Sequence, residues 1–187
     1  PEAIFRAVAG VHRRCRGAYA IVAMIAGYGM LAFRDPYGIR PLVIGVAEAP
    51  GGPEYMVASE SVALEACGFR VLRDVDPGEA IYVDFAGTMH ARQCAESPRL
   101  VPCIFEFVYL ARPDSVIDGT SVYESRIHMG AALARRIRAM PEAQDVDVVI
   151  PIPDSSRPSA MQLANDLSLT YREGFVKSRY IGRTFIM

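Results

Sequence analysis

The pattern of apolar residues changes near Ser97-Pro98, and this change limits the fold more than any other feature of the sequence. Before it, short apolar runs alternate with glycine-rich turns, which is typical of antiparallel hairpins. After it, apolar runs of strand length alternate with stretches of helical periodicity, an order that indicates parallel α/β structure. We therefore predict two units, residues 1–97 with an α+β fold and residues 98–187 with an α/β fold.

The first unit is expected to begin with an amphipathic helix over residues 2–14. The apolar run 18–26 predicts a buried strand, too short to span a bilayer, which turns at Gly27-Tyr28-Gly29 into a second strand. The remaining elements of this unit are predicted to be strands at residues 41–45, 55–58, 81–85 and 88–91, with a short helix from Ser59 to about Ala66.

In the second unit, residues 104–109 predict a strand and residues 122–140 predict a helix with Ser121 as its N-cap. Residues 147–153 predict a continuous apolar strand, and a helix follows over residues 158–167. A strand that enters a helix through a short polar loop places N–H groups where α/β proteins bind phosphates. The loop is therefore interpreted in two ways, as a phosphate site or as an ordinary N-cap with a solvated arginine.

Two other polar segments carry charge. Residues 177–184 contain three cationic side chains around Gly182, which suits a mobile loop closing over a polyphosphate and equally suits a solvated basic loop. Arg112-Pro113-Asp114-Ser115 predicts a turn built on an ion pair.

Composition excludes several classes of function. The net charge of −1 gives no field for nucleic acid or an anionic membrane, so neither partner is expected. The four cysteines form no CxxC pair and the three histidines are scattered, which argues against a zinc or redox site. Ser59-Glu60-Ser61 lacks the context of a serine hydrolase nucleophile. We expect a globular protein of a reducing, cytoplasmic compartment.

The two ends also carry an expectation. The chain begins at Pro1 without a methionine and ends in the apolar Phe185-Ile186-Met187, whereas natural termini are usually polar. We expect a piece of a longer chain.

Longer motifs occur in one order along the sequence. They are RGAYA (16–20), FRDPYGIRPL (33–42), VASES (57–61), DPGE (76–79), YLARPDS (109–115), VIPIPDS (149–155) and GFVKSRYIGRTFIM (174–187). Together they resemble the amidophosphoribosyltransferase family, and the resemblance covers essentially the whole chain.

The resemblance implies a fold and an activity. Residues 1–97 would be the C-terminal part of a glutaminase domain, an N-terminal-nucleophile hydrolase sandwich with layers α/β/β/α. Residues 98–187 would begin a type I phosphoribosyltransferase domain on a parallel sheet. The whole enzyme would add ammonia from glutamine to 5-phosphoribosyl 1-pyrophosphate (PRPP) with Mg²⁺, giving 5-phosphoribosylamine in the first step of purine synthesis. Inhibition by purine nucleotides and a homo-oligomer are also implied.

The resemblance further assigns roles in the phosphoribosyltransferase site. Ser155 matches a hydroxyl position associated with Mg²⁺. Asp154, Ser156 and Arg157 lie in the loop that resembles the pyrophosphate-binding loop, and these three are the candidate substrate-binding residues.

The last residues of the chain match the start of the family's flexible loop over PRPP. Lys177, Tyr180 and Arg183 are the candidate catalytic residues there. Tyr109 and Ile186 match positions that line an ammonia channel between the two sites, where an apolar and aromatic lining suits neutral ammonia.

Some family features have no counterpart in this sequence, namely the N-terminal cysteine nucleophile and the acidic PRPP-binding strand, so the isolated chain is expected to be inactive. Cys103 matches an iron–sulfur ligand of some members, but the later cysteines of that site are absent and no cluster is expected. The alternatives are a non-catalytic fragment or nucleotide-binding scaffold of the same fold, and a salvage phosphoribosyltransferase, against which the strand-rich first unit argues.

Overall fold

A computed structural model of the chain describes residues 1–141, 145–178 and 180. In the first unit the elements are α1 (Glu2–Arg14), β1 (Ala20–Ile25), β2 (Gly29–Arg34), β3 (Val43–Ala49), β4 (Gly52–Ala58), α2 (Ser61–Ala66), β5 (Arg70–Asp74), β6 (Glu79–Asp84) and β7 (Met89–Gln93). In the second they are a π-helical turn (Glu106–Leu110), β8 (Val116–Ile117), β9 (Thr120–Ser121), α3 (Val122–Arg138), β10 (Val148–Val149), α4 (Arg157–Leu167) and β11 (Thr170–Tyr171). The boundary between the units near residue 97 stays a prediction.

Two antiparallel sheets form the centre of the first unit, one ordered β1-β2-β6-β7 and the other β4-β3-β5. Helix α1 covers the first sheet and packs Phe5 into a core with residues of β2 and β6. Ala32 and Ile81 of the first sheet meet Ile44 of the second in the core between the sheets. Helix α2 covers the other face of the second sheet through the fully buried Leu64. The layers are therefore α/β/β/α, as the resemblance implies.

The first helix shows why the sequence predicted it well. Its core-facing residues are Ile4, Phe5, Val8 and Val11, a spacing that puts them on one face of a helix. The predicted amphipathic helix over residues 2–14 is confirmed.

The prediction of a buried strand over residues 18–26 is wrong in its burial. Within the part of the chain that the structure describes, strand β1 pairs with β2 alone and forms the edge of its sheet. Val22 and Met24 are 53% and 75% exposed. The apolar composition of the run does not distinguish an edge strand from a central one, because both fit a β conformation.

The strand predicted over residues 104–109 is also wrong. Ile104 and Phe105 begin a helical segment that continues as the π-helical turn. The buried Glu106 carboxylate accepts a hydrogen bond from Arg40 at 2.6 Å, which ties this turn to the first unit. An apolar run of this length is ambiguous between strand and helix, and a contact with a distant arginine decides the outcome.

From residue 122 onward the second unit contains the predicted order of helix, strand and helix. The Ser121 side chain accepts the N–H of Glu124 at 3.3 Å, which confirms it as the N-cap of α3. Strands β10 and β11 pair in parallel with α4 between them in sequence, which confirms the parallel α/β connection. Strand β10 covers only Val148–Val149 rather than residues 147–153, since β11 offers two residues to pair with it.

Arg34, the last residue of β2, joins the two units. Its side chain is 1% exposed, and its guanidinium makes a bidentate ion pair with Asp118 at 2.7 and 2.8 Å. The other hydrogen bonds go to the carbonyls of Gly38, Arg40 and Val75 at 2.6–2.9 Å. All five guanidinium N–H groups therefore have acceptors, which a buried arginine requires.

Replacing Asp118 by Asn tests this junction. Asp118 has a φ of 48°, which asparagine tolerates well, so Asp118→Asn changes the charge with little backbone strain. We expect a loss of about 3 kcal/mol in the free energy of unfolding, because the guanidinium keeps its burial and loses its counter-charge. Urea denaturation measures the loss. Glu2→Gln, which removes the exposed pair with Arg92, should leave stability almost unchanged. Equal effects of the two variants would contradict the assignment.

The close approach of α3 and α4 gives a second test. A methyl group on Gly130 of α3 would lie 2.4 Å from the Ser159 carbonyl oxygen of α4. Gly130→Ala is expected to cost about 1–3 kcal/mol because the helices must move apart. In α1, a methyl group on Gly10 would meet no atom of the described residues within 4 Å, so Gly10→Ala is expected to stabilise by up to about 1 kcal/mol. The same sign for both variants in urea denaturation would refute this packing.

Candidate functional site

A cleft of about 720 Å³ lies where the chain leaves β10. Its lining comes from the loop before α4, from residues 109–113, from Tyr123 and Arg126 of α3, and from Lys177 and Ser178. A cleft after a parallel strand is the usual position for ligands of α/β proteins.

The loop between β10 and α4 is shaped by its own hydrogen bonds. The Ser156 hydroxyl donates to the carbonyl of Ile152, and the Arg157 N–H donates to the carbonyl of Asp154 at 3.3 Å. The peptide bond before Asp154 is cis. Ser156 holds the N-cap position of α4, but within the described residues its side chain accepts no hydrogen bond from the helix. The loop therefore differs from the ordinary side-chain N-cap that the sequence left open.

A row of ion-paired side chains lies along the cleft. Asp154 contacts two cations, Lys177 Nζ at 3.5 Å and an Arg157 nitrogen at 3.7 Å. Arg157 also pairs with Glu173 at 3.2 Å, and the other Glu173 oxygen accepts the Tyr171 hydroxyl at 2.7 Å. Desolvation and this hydrogen bond raise the pKa of Tyr171. The ion pairs are about half exposed, so each is weak and a stronger anion can replace the carboxylates.

Lys177 is the only lysine of the sequence, since 19 of the 20 Lys and Arg residues are arginine. Lysine offers a compact ammonium on a flexible stem, whereas arginine offers a planar fork. Every other Lys or Arg position of the chain is arginine. The lysine in the cleft lining therefore indicates that Lys177 has a role for which the compact ammonium is needed. The sequence alone held this signal.

The structure gathers several of the nine predicted site residues in the cleft lining, namely Tyr109, Asp154, Ser155, Arg157 and Lys177. Ser156 lies in the same loop, with its hydroxyl on a backbone carbonyl. Tyr180 is 99% exposed and does not line the cleft. Arg183 and Ile186 lie outside the described residues. The roles assigned to all nine stay predictions.

Two sets of polar contacts shape the wall of the cleft. Arg112 and Asp114 pair at 2.8 Å, which confirms the turn built on an ion pair. The buried Arg126 of α3 donates to the carbonyls of Phe107 and Ala111 at 2.7 Å each and so fixes this wall. Burial lowers the pKa of Arg126. No pattern in the sequence indicates this role, because Arg126 occurs within a helix rich in arginine.

The oxygen donors of the cleft fit a magnesium ion that is bound partly through its ligand. Asp154 provides a carboxylate and Ser155 a hydroxyl. Mg²⁺ commonly binds one or two protein carboxylates and completes its shell with water and phosphate oxygens. Among the residues that the structure describes, no group of three or more His, Cys, Asp or Glu could enclose a metal ion. This donor set suits a metal that arrives with a phosphate ligand.

Comparison with curated proteins gives matches along the whole chain. Amidophosphoribosyltransferases from Pasteurella multocida and Pseudomonas aeruginosa are each 58% identical over 100% of this chain, and that from Escherichia coli is 57% identical over 98%. In each case the chain spans 37% of the relative's length. No protein-family model matches the chain. The predicted resemblance is confirmed.

Solved structures agree with this result. A glutamine PRPP amidotransferase from B. subtilis, complexed with ADP and GMP, is 36% identical with a TM-score of 0.78, over 96% of this chain and 37% of that one. A structure described as the allosteric regulatory enzyme of purine biosynthesis has a TM-score of 0.80 at 36% identity, over 96% of this chain and 36% of that one. The predicted fold class is confirmed. Of the helices described, none has the length and apolarity to cross a membrane.

The ion pairs of Asp154 predict a measurable competition. Asp154→Asn should tighten the binding of inorganic pyrophosphate, without divalent cations, by roughly 2- to 10-fold, because it releases two cations and removes a negative charge. Isothermal titration calorimetry on the full-length protein measures the affinity. Glu48→Gln, an exposed carboxylate of β3 outside the lining, makes the same change in net charge and should leave the affinity unaltered. A similar gain in both variants would point to net charge alone.

Proposed function

We propose that this chain, which is homologous over its whole length to amidophosphoribosyltransferases, is part of an enzyme that transfers ammonia from glutamine to PRPP and forms 5-phosphoribosylamine. The observation that carries the proposal is the cleft in which the loop 154–157 meets the single lysine, in a chain 58% identical to enzymes of that name. Residues 1–97 would supply the C-terminal part of the glutaminase domain, and residues 98–187 the first part of the phosphoribosyltransferase domain.

Binding of PRPP begins with an exchange of anions. Arg157 and Lys177 rest on Asp154 and Glu173 at 3.2–3.7 Å, and the pyrophosphate oxygens take the place of these carboxylates. Hydrogen bonds between charged partners are stronger than the half-exposed pairs that they replace. Ser156 and the loop backbone orient the group at the entrance to α4.

Charge placement drives the transfer. As pyrophosphate leaves the ribose, negative charge grows on its oxygens while the sugar gains oxocarbenium character. A lysine held at that position stabilises the developing charge more than the ground state. Lys177 is the proposed catalytic cation, with Tyr180 and Arg183 joining it when the loop closes. When bound at Ser155 and Asp154, Mg²⁺ would add further neutralisation of the pyrophosphate.

Ammonia must meet the sugar before water does. Tyr109 projects from the π-helical turn into the cleft lining beside Leu110 and Ala111. An aromatic and apolar wall suits the passage of a neutral molecule and the exclusion of water. We assign Tyr109 and Ile186 to this channel.

The proposal extends to ligands and assembly. The B. subtilis relative was solved with ADP and GMP, whose phosphates share the chemistry of pyrophosphate. We assign purine nucleotides as inhibitors of the whole enzyme, and the enzyme as a cytoplasmic homo-oligomer. The alternative is a nucleotide-binding scaffold of the same fold, which binds phosphates at the cleft without releasing pyrophosphate.

Lys177 provides the test of function. In the full-length enzyme, Lys177→Gln should lower kcat/KM for PRPP by about 100-fold, because the transition state loses its cation. Glutamine hydrolysis measured without PRPP should change by less than about 3-fold, since Lys177 lies in the second unit. Lys177→Arg should restore part of the activity by returning the charge.

The matched control for Lys177 is Arg135→Gln in α3, which removes an exposed cation outside the cleft lining. It should leave both reactions intact. Equal losses of both reactions in Lys177→Gln would refute the catalytic role. A wild-type enzyme that binds pyrophosphate but forms no product from PRPP would support the scaffold.

A further inference from the structure

The VASES motif of the first unit contacts the wall of the cleft in the second. One Glu60 oxygen accepts two hydrogen bonds, from the Arg112 N–H at 2.8 Å and from the Ser115 hydroxyl at 2.6 Å. The neighbouring Ser61 hydroxyl accepts the Val116 N–H at 3.0 Å. Residues 112–116 are therefore held by consecutive side chains of the first unit.

Two cavities border the stretch of chain from Glu106 to Pro113. One is the cleft, which residues 109–113 line. The other is a cavity of about 450 Å³ beside β1, whose lining includes Arg40, Glu60 and Glu106. Glu106 begins the π-helical turn and Tyr109 belongs to the same turn. The turn and the residues after it thus form a shared wall, with Glu60 on the side of the first unit.

The same wall is also held from within the second unit by Arg126 of α3, which donates to the carbonyls of Phe107 and Ala111. The cleft therefore keeps a support within the second unit if Glu60 is removed. Removal of Glu60 deletes only the hydrogen bonds that join the first unit to Arg112 and Ser115 through this side chain.

We propose that Glu60 is a positioning residue that couples the two units, so that ammonia released in the first reaches the cleft in the second. This inference rests on the proposed function. Glu60 itself contacts no reacting atom. It sets the position of residues 109–115, and with it the alignment of the wall that contains Tyr109.

The experiment compares two rates in the full-length enzyme, the synthesis of 5-phosphoribosylamine from glutamine and its synthesis from added ammonia. Glu60→Ala should lower the ratio of the glutamine-dependent to the ammonia-dependent rate by about tenfold, because both hydrogen bonds are lost. The KM for PRPP with added ammonia should stay within about 3-fold, since Arg126 still holds the wall.

A conservative variant distinguishes positioning from charge. A single Glu60 oxygen accepts both hydrogen bonds, and glutamine retains one such oxygen. Glu60→Gln should therefore keep the ratio within about 3-fold of the wild type. Ser115→Ala, which deletes one of the two donors, should lower the ratio by an intermediate amount and add little to Glu60→Ala when the two are combined.

Asp84→Ala is the matched control. One Asp84 oxygen also accepts two N–H groups, from Ala86 and Thr88 at 3.0 Å each, but both belong to the first unit. It should leave the ratio unchanged.

The outcomes separate the two proposals. A wild-type enzyme that forms product from neither glutamine nor ammonia would overturn the proposed function and the coupling with it. An active wild type whose ratio is unchanged in Glu60→Ala and Ser115→Ala would overturn the coupling alone. Parallel loss of both rates would also overturn it, because it would show a general support of the cleft. Should Glu60→Ala fail to fold, Ser115→Ala gives the same decision, since an unchanged ratio in that variant would overturn the coupling.

Discussion

The burial of the Arg34 guanidinium is the constraint on which the junction of the two units depends. An arginine in a core costs several kcal/mol unless its charge and all its N–H groups are matched. Three backbone carbonyls of the first unit match part of it, and the carboxylate of Asp118 in the second unit supplies the charge. Asp74 lies beside the backbone of Asp118 and Gly119, and burial raises the pKa of its carboxyl. The core of the first unit is therefore completed by a residue of the second.

Pairing of charges across the junction also explains the motif FRDPYGIRPL, which the family resemblance assigned to a glutaminase domain. The buried Asp35 accepts the N–H groups of Tyr37, Ile39 and Arg40 and so shapes the loop. That loop presents Arg34 to Asp118 and Arg40 to Glu106. In this structure the charged side chains of the motif serve the junction between the units. A motif that marks a domain can thus owe its residues to the neighbour of that domain.

The sequence predicted the elements that local chemistry decides. Helix α1 follows from its apolar face, α3 from the capping Ser121, and the first hairpin from its glycine turn. The prediction from sequence failed at residues 104–109. There Glu106 is held in a π-helical turn by an ion pair with Arg40, which lies 66 residues earlier in the chain. At the site, the loop 154–157 and Lys177 were predicted from pattern and resemblance, whereas Glu60 and Arg126 were not. Their roles depend on which backbone groups lie opposite them, and no periodicity in the sequence encodes that.

Under the proposed function, the charges of the cleft have to hold its loop together and still give way to a polyanion. If Arg157 and Lys177 had no acidic neighbours, their mutual repulsion would open the loop. The two cations would then bind any anion in solution. Asp154 and Glu173 cancel this repulsion, but at 3.2–3.7 Å and half exposed they do so weakly. A ligand must offer more negative charge than two carboxylates to displace them, which a pyrophosphate does and a single carboxylate does not. In the proposed function, the ion pairs would therefore set a threshold for the charge of the ligand, and the flexible stem of the single lysine would let it move from Asp154 to the ligand.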